Sequence, residues 1–269
     1  MKKVLGITLL VAVGAFVVFM TGCDGEPPGE VRNLAAEAAD EGASVKLTWT
    51  EPTDATGDET YSVYFDETLV EEEISVTEYK HFEPGKAGEY EVTVVSSNDE
   101  SEGVKIDTYP IDVANPTVWE LNGSGNSGIG FYVASKAVST YSMASDDNKE
   151  NIDCYFTNWL VKSDGFGGEY DLCSPAENLA DDPGFPGEVS GWRSTGITND
   201  LTKNIEDVEM VPETGYYSRP EDAVAEGGTY AIYTQDDYYG LIQVISISTD
   251  NGAVDIKATF QPIQELRLF

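Results

Sequence analysis

Apolar and polar residues alternate most clearly at positions 45–50, where Val45, Leu47 and Trp49 fall on one side and Lys46, Thr48 and Thr50 on the other. That period of two predicts a half-buried strand, and Glu51-Pro52 ends it. Similar runs recur at 61–65 (YSVYF) and 90–94 (YEVTV), with turn residues at 54–58 and 83–88 between them. Short strands punctuated by Pro and Gly predict an antiparallel sandwich. From Asn115-Pro116 onward the chain turns rich in Gly, Ser and Asn (121–130, LNGSGNSGIG), a flexible lead-in, and then offers strands at 130–133, 152–161 and 229–234. The sharpest signal is a hairpin of 238–248 and 253–260 around Thr249-Asp250-Asn251-Gly252, because Asn-Gly between β-rich runs favours a tight turn. With a second turn at Asp236-Asp237, residues 229–261 read as a three-stranded meander. One short helix is expected at 220–227, with Pro at its start and Gly at its end. The fold class is therefore all-β: a β-sandwich followed by a second β-rich domain with few short helices.

The N-terminus carries a different pattern. Lys2-Lys3 precede an uncharged apolar run over 4–20, closed by Met20-Thr21-Gly22-Cys23. A basic n-region, an apolar core and small residues form a secretory signal, and the run is short against the roughly 20 residues a spanning helix needs. The small-small-Cys ending resembles the lipobox of bacterial lipoproteins. That resemblance implies removal of residues 1–22 and lipid on Cys23, which anchors the chain to a membrane with no spanning helix. An uncleaved anchor and a plain signal peptide are the alternatives. Residues 23–30 then form a Pro/Gly/acidic tether.

The segments PGEVRNLAA, VKLTWTEP, YSVYFDE and GEYEVTVVSSNDESEG together resemble strands A, B, C and F of a fibronectin type III domain over about residues 28–115, with the domain itself set at 31–115. The resemblance puts Trp49 at the family's buried strand B tryptophan and Tyr90 at its corner tyrosine, with a longer step from Phe82 than the family has. No Arg-Gly-Asp is present, and the family's usual roles are spacing and adhesion. Within the second domain, 116–269, the stretch GGTYAIYTQDDYYGLIQVISIS with VDIKATFQPI is similar to the closing meander of HmuY-like surface lipoproteins. Haem binders of that group hold iron with paired histidines or methionines. Here His81 lies in the other domain, leaving Met143 and Met210, for which core or surface packing is the favoured reading over haem ligation.

Composition narrows the function classes. With 49 acidic against 15 basic residues the 269-residue chain carries a net charge of −34. Such a surface repels phosphate, which excludes nucleic acid as a partner. A single histidine argues against a Ser/His/Asp or Cys/His catalytic centre and a His-based zinc site. Gly123, Gly125 and Gly128 give G-x-G-x-x-G, but no βαβ pattern surrounds them. Carboxylate-based hydrolysis stays open as an alternative, since Asp and Glu abound.

Four groups of residues remain as candidates. Cys154 and Cys173, an even pair in an exported chain, are expected to form a disulfide. Asp146, Asp147, Asn148, Glu150 and Asp153 crowd one loop with oxygen ligands that suit calcium; a solvated acidic surface adapted to salt is the other reading, and the acid excess is spread evenly. Asp181-Asp182 is a second such place. Among the loop aromatics Trp159, Phe166, Tyr170, Phe185, Trp192, Tyr216 and Tyr217, a glycan-stacking platform is centred on Trp192, Tyr216 and Tyr217, against the alternative that they are core. The expected function is a lipid-anchored binding or adhesion protein of the bacterial envelope, not an enzyme, with a protein or glycan partner. Capture of a glycan, haem or other small molecule by the C-terminal domain is the first alternative.

Overall fold

The computed structural model describes residues 27–97, 99–185 and 187–269; the signal segment and Cys23 lie outside them. Nearly all regular structure is antiparallel β. In the first unit β1 (Arg32–Ala39), β2 (Ser44–Thr50) and β5 (Glu78–His81) make one sheet. The facing sheet runs β4 (Thr68–Ile74), β3 (Thr60–Phe65), β6 (Glu89–Ser96), with β7 (Asp99–Glu100) and β8 (Val104–Asp107) both pairing along β6. This is a fibronectin type III-like β-sandwich.

The alternating residues point where their period sends them. Val45, Leu47 and Trp49 of β2 meet Tyr61 and Val63 of β3 and Tyr90, Val92 and Val94 of β6 in one buried core. Each such side chain contributes about 1.5–3 kcal/mol by leaving water. Trp49 packs edge-on against Tyr61, ring centres 5.2 Å apart. The Tyr90 hydroxyl and His81 Nδ1 share a 3.0 Å hydrogen bond, which ties the only histidine, half-buried, to a core tyrosine, whereas Phe82 beside it is exposed.

The second unit is another sandwich. One sheet runs β11 (Ala137–Tyr141), β10 (Gly128–Tyr132), β12 (Cys154–Thr157), β13 (Asp171–Cys173). The other runs β14 (Gly196–Ile197), β15 (Thr229–Tyr233), β16 (Tyr239–Ile247), β17 (Ala253–Phe260), β9 (Thr117–Trp119). The predicted meander is β15–β16–β17, and Gly252 closes its turn at a positive φ of 77°. Inward residues such as Phe131, Phe156, Ile232, Ile242 and Phe260 form the main core. Loops cover both outer faces, building one cluster around Met143, Tyr155 and Trp192 and another around Tyr239, Leu241 and Ile205. The consecutive Leu241 and Ile242 therefore lie in different cores, which is why β16 carries adjacent apolar residues rather than a strict alternation.

Two expectations are corrected here. Residues 220–227 form bends and a turn, not a helix; Val224 is buried and its N–H donates to Tyr170 O at 2.7 Å, so the backbone is bonded to another segment. The short helix is instead α1 (Pro175–Asn178). The expected disulfide is absent: Cys154 and Cys173 are both free and buried. The β12–β13 register sets Cys173 opposite Tyr155, so Cys154, one residue earlier, points to the other face of the sheet. Cys154 sits in the main core and Cys173 in the cluster outside it.

Residues 261–269 follow the second sandwich in the chain but pack into the first. Leu266 and Leu268 are fully buried in the core that holds Trp49 and Tyr90. Between them Arg267 donates to Glu41 O (2.7 Å) and Val211 O (2.9 Å). Gln261 Nε2 donates to Thr108 O and Leu268 O. Gly42, at φ 81°, is required where this tail passes, because a Cβ there would overlap the Glu265 carbonyl.

Candidate functional site

The junction defines two free ends. β1 runs from the tether end, where Gly29 N–H donates to Asp54 Oδ2, to the turn at 40–43 that meets the tail. β17 starts beside Trp119 and finishes at the junction, where Ile111 N–H donates to Phe260 O. Each strand has eight residues, so each sandwich holds its outer end roughly 26 Å from the junction at ~3.3 Å per residue.

At the outer end of the second sandwich lies a cleft of about 420 Å³, within the range of small-ligand sites. Its first wall is the Gly/Ser stretch between β9 and β10, represented by Leu121, Asn122, Ser124 and Gly125. Its second wall is Ser142, Met143 and Asp146 after β11, and the third comprises Lys162, Gly184 and Phe185.

Buried carboxylates pin two of these walls. Glu120, with no exposed surface, accepts from Asn122 N at 2.9 Å and Asn122 Nδ2 at 3.2 Å. Asn122 Nδ2 also donates to Leu160 O at 2.7 Å, which orients the amide and joins the first wall to the third. Asp182 accepts from Gly184 N at 2.9 Å and from the Tyr155 hydroxyl at 3.3 Å. Burial raises both carboxyls above their ordinary values, against the pull of these donors. Gly123 and Gly125 lie on the indole of Trp119, and a Cβ at Gly125 would overlap the ring. The glycines are thus a packing requirement, and the stretch read as a flexible lead-in is a fixed wall.

A pH dependence follows. A carboxyl whose folded pKa is raised binds its proton more tightly in the folded state, so stability rises as pH falls through the raised value. The gain is complete below the unfolded values, 4.5 for Glu and 3.8 for Asp. Glu120, Asp182 and Asp153 act this way. His81, lowered by burial, opposes them below 6.5, and Glu59, lowered to about 2 by hydrogen bonds from Thr56, turns stability down in stronger acid. The melting temperature is expected to rise from pH 7 to about 5 and fall below about 4, with Glu120→Gln flattening the rise. A steady fall from pH 7 would contradict this assignment.

Of the other candidates, Met143, Asp146 and Phe185 contribute to this cleft, but the expected groupings do not form. Asp146–Asn151 is a 3-10 turn in which Asp146 pairs with Lys149 at 3.3 Å and Asn148 donates to Ser142 O. Asp153 turns inward to Arg193. Among the described residues no three Asp, Glu, His or Cys converge on a metal position, so Asp146, Asp147, Asn148, Glu150 and Asp153 do not assemble the expected calcium site. The aromatic platform is likewise corrected. Trp192 is buried and donates to Glu188 O, while Tyr216 belongs to another cluster with Tyr233 and Tyr239. Of the three only Tyr217 is exposed. Met143 is buried beside Trp192, whereas Met210 is exposed and bridges to Leu268, so they do not pair as axial ligands.

A second cleft, about 620 Å³, opens on the junction side among Glu150, Asp153, Asp236 and Asp237. Its one cation, Arg193, is already held by Asp153 and Asp236.

No protein-family model matches the chain, and no curated protein is similar to it. Among solved structures it resembles a DUF4466 family protein from Parabacteroides merdae, at 15% identity over 87% of this chain and 94% of that one, TM-score 0.41. It also resembles a structure described as FN3tt mut, at 20% identity over 30% and 94%, TM-score 0.26. A human fourth FNIII domain matches at 20% identity over 34% and 85%, TM-score 0.24.

Proposed function

We propose that this is a non-catalytic binding protein of the bacterial envelope, anchored by lipid on Cys23, in which the fibronectin-like sandwich is a spacer and the second sandwich captures a ligand. The observation that carries the reading is the cleft with pinned walls at the end of the second sandwich away from the junction. A tether entering the outer end of the first sandwich leaves that cleft facing away from the attachment. Capture is favoured over hydrolysis because Glu120 and Asp182 are buried and committed to the walls, while Asp146 alone brings a carboxylate to the lining.

The test is thermal unfolding of the full chain in mild detergent against calcium, haemin and a glycan panel at low and high salt. A ligand at about 100 times its Kd adds about 2.7 kcal/mol. One compound is expected to raise Tm, and Gly125→Ala, which forces the first wall off Trp119, is expected to abolish that rise. Cys23→Ser is expected to move the protein from the membrane to the soluble fraction. A Tm that responds to salt alone, or a Cys23→Ser chain still lodged in membrane, overturns the corresponding half of the reading.

A further inference from the structure

We infer that the cleft takes a neutral, hydroxyl-rich ligand, a short glycan; this rests on the capture reading above. The argument is a match of donors and acceptors. Asn122 spends its amide protons on Glu120 and Leu160 O, which leaves its carbonyl oxygen as an acceptor on the first wall. Across the cleft the Ser142 hydroxyl accepts from Ala144 N–H at 3.2 Å, so its own proton is free to donate. Ser124 is exposed at the rim and brings a hydroxyl that can do either. Sugar hydroxyls both donate and accept, so one ligand class satisfies all three.

The apolar part of the lining suits the same class. Leu121, Met143 and Phe185 line the same cleft, and Phe185 is held edge-on to Trp192 with ring centres 5.7 Å apart at 84°. A half-buried ring locked by a neighbour is a surface for the C–H face of a pyranose. A few placed polar groups against apolar walls is the usual make-up of small-ligand sites.

Charge excludes the ionic alternatives. Lys162 is the one basic residue in the lining, Asp146 brings a carboxylate to the same lining, and the chain's net charge is −34, so the field disfavours anions. Cations find little, since Asp146 is paired with Lys149 and the buried carboxylates have their own donors.

Calorimetric titration of the full chain with malto-, cello-, xylo- and chito-oligosaccharides, polygalacturonate and a mixed tetrapeptide library distinguishes the outcomes. The expected result is binding of one neutral oligosaccharide with an affinity unchanged between low and high salt, because no ion pair forms. Phe185→Ala is expected to weaken it roughly tenfold. Ser124→Ala, at an exposed position, is expected to weaken it while the sugar-free Tm stays the same. Binding of polygalacturonate, an anionic glycan, or of peptide that Gly125→Ala abolishes overturns the neutral-glycan assignment and leaves the capture reading standing. A neutral sugar bound equally well by the Phe185→Ala and Ser124→Ala proteins overturns the placement. Absence of binding to every probe overturns both.

Discussion

Removing residues 263–269 is expected to unfold the fibronectin-like sandwich, although the deleted segment lies about 150 residues beyond that sandwich's last strand in the chain. Leu266 and Leu268 have no exposed surface and belong to the core of the first unit. A buried Leu→Ala change costs about 2–5 kcal/mol, so losing both, with the hydrogen bonds of Arg267 to Glu41 O and Val211 O, approaches the ~5–15 kcal/mol that holds a typical domain together. In urea, the truncated chain should lose the signal of Trp49 well before that of the second unit, identified by comparison with Trp49→Phe. Leu268→Ala in the full chain should lower the midpoint without changing the slope. A fragment of residues 27–115, which lacks both leucines, should not fold cooperatively. Full-length midpoints in the truncated chain would show that the tail merely decorates the sandwich. That result would bear on assembly as well: the first sandwich would close only after residues 263–269 are made, so its folding would wait on contacts of very long sequence separation.

That tail also shows where the sequence stops being legible. Strands with one buried face declare themselves locally: the alternation of Val45, Leu47 and Trp49, and the bounds of β17, are readable because each side chain's destination follows from its neighbours' period. Leu266 and Leu268 alternate around Arg267 in the same way, yet the core they enter is built from residues 31–94, far upstream in the chain, and the Arg267–Glu41 bond spans a separation of 226. The edge strand β4 is hidden for another reason: its exposed Glu71, Glu72 and Glu73 suppress the apolar signal, a common protection of a free strand edge. Cys154 and Cys173 mislead because an even count says nothing of register, and one residue of offset puts them on opposite faces.

The site was legible in part. Phe185 stood among the loop aromatics, but the polar positions Asn122, Ser124 and Ser142 are ordinary residues in separate loops until the fold gathers them. The buried Glu120 behind them is the cue that was missed: a carboxylate next to Trp119, at the head of a Gly/Ser run, holds that run in place. Trp192 misled in the opposite sense. Its Gly-rich setting suggested exposure, whereas the loop folds over the outer face of a sheet and buries it.

Arg193→Ala is expected to cost about 3–5 kcal/mol at neutral pH, the usual result of leaving one partner of a buried pair alone. Arg193 Nε donates to Asp153 Oδ1 at 2.8 Å and Nη2 to Asp236 Oδ2 at 2.7 Å. Asp153 Oδ2 accepts from Phe131 N–H at 2.9 Å. One guanidinium thereby ties the approach to β12 to the β15–β16 turn, across the two sheets, and β10 is drawn in through Phe131. Burial pushes the Asp153 carboxyl up, and Arg193 is the largest influence holding it down. Burial also works against the arginine cation, yet the two carboxylates outweigh it and leave its pKa above the usual value. With the arginine gone, Asp153 escapes its isolated charge by taking a proton. The loss in Arg193→Ala should therefore shrink between pH 7 and pH 5 in urea unfolding, and Asp153→Asn/Arg193→Met should recover most of it at both. A loss below about 1 kcal/mol at pH 7 would place the pair with exposed ion pairs that contribute little. A loss that persists unchanged at pH 5 would assign the cost to the hydrogen bonds rather than to the stranded charge.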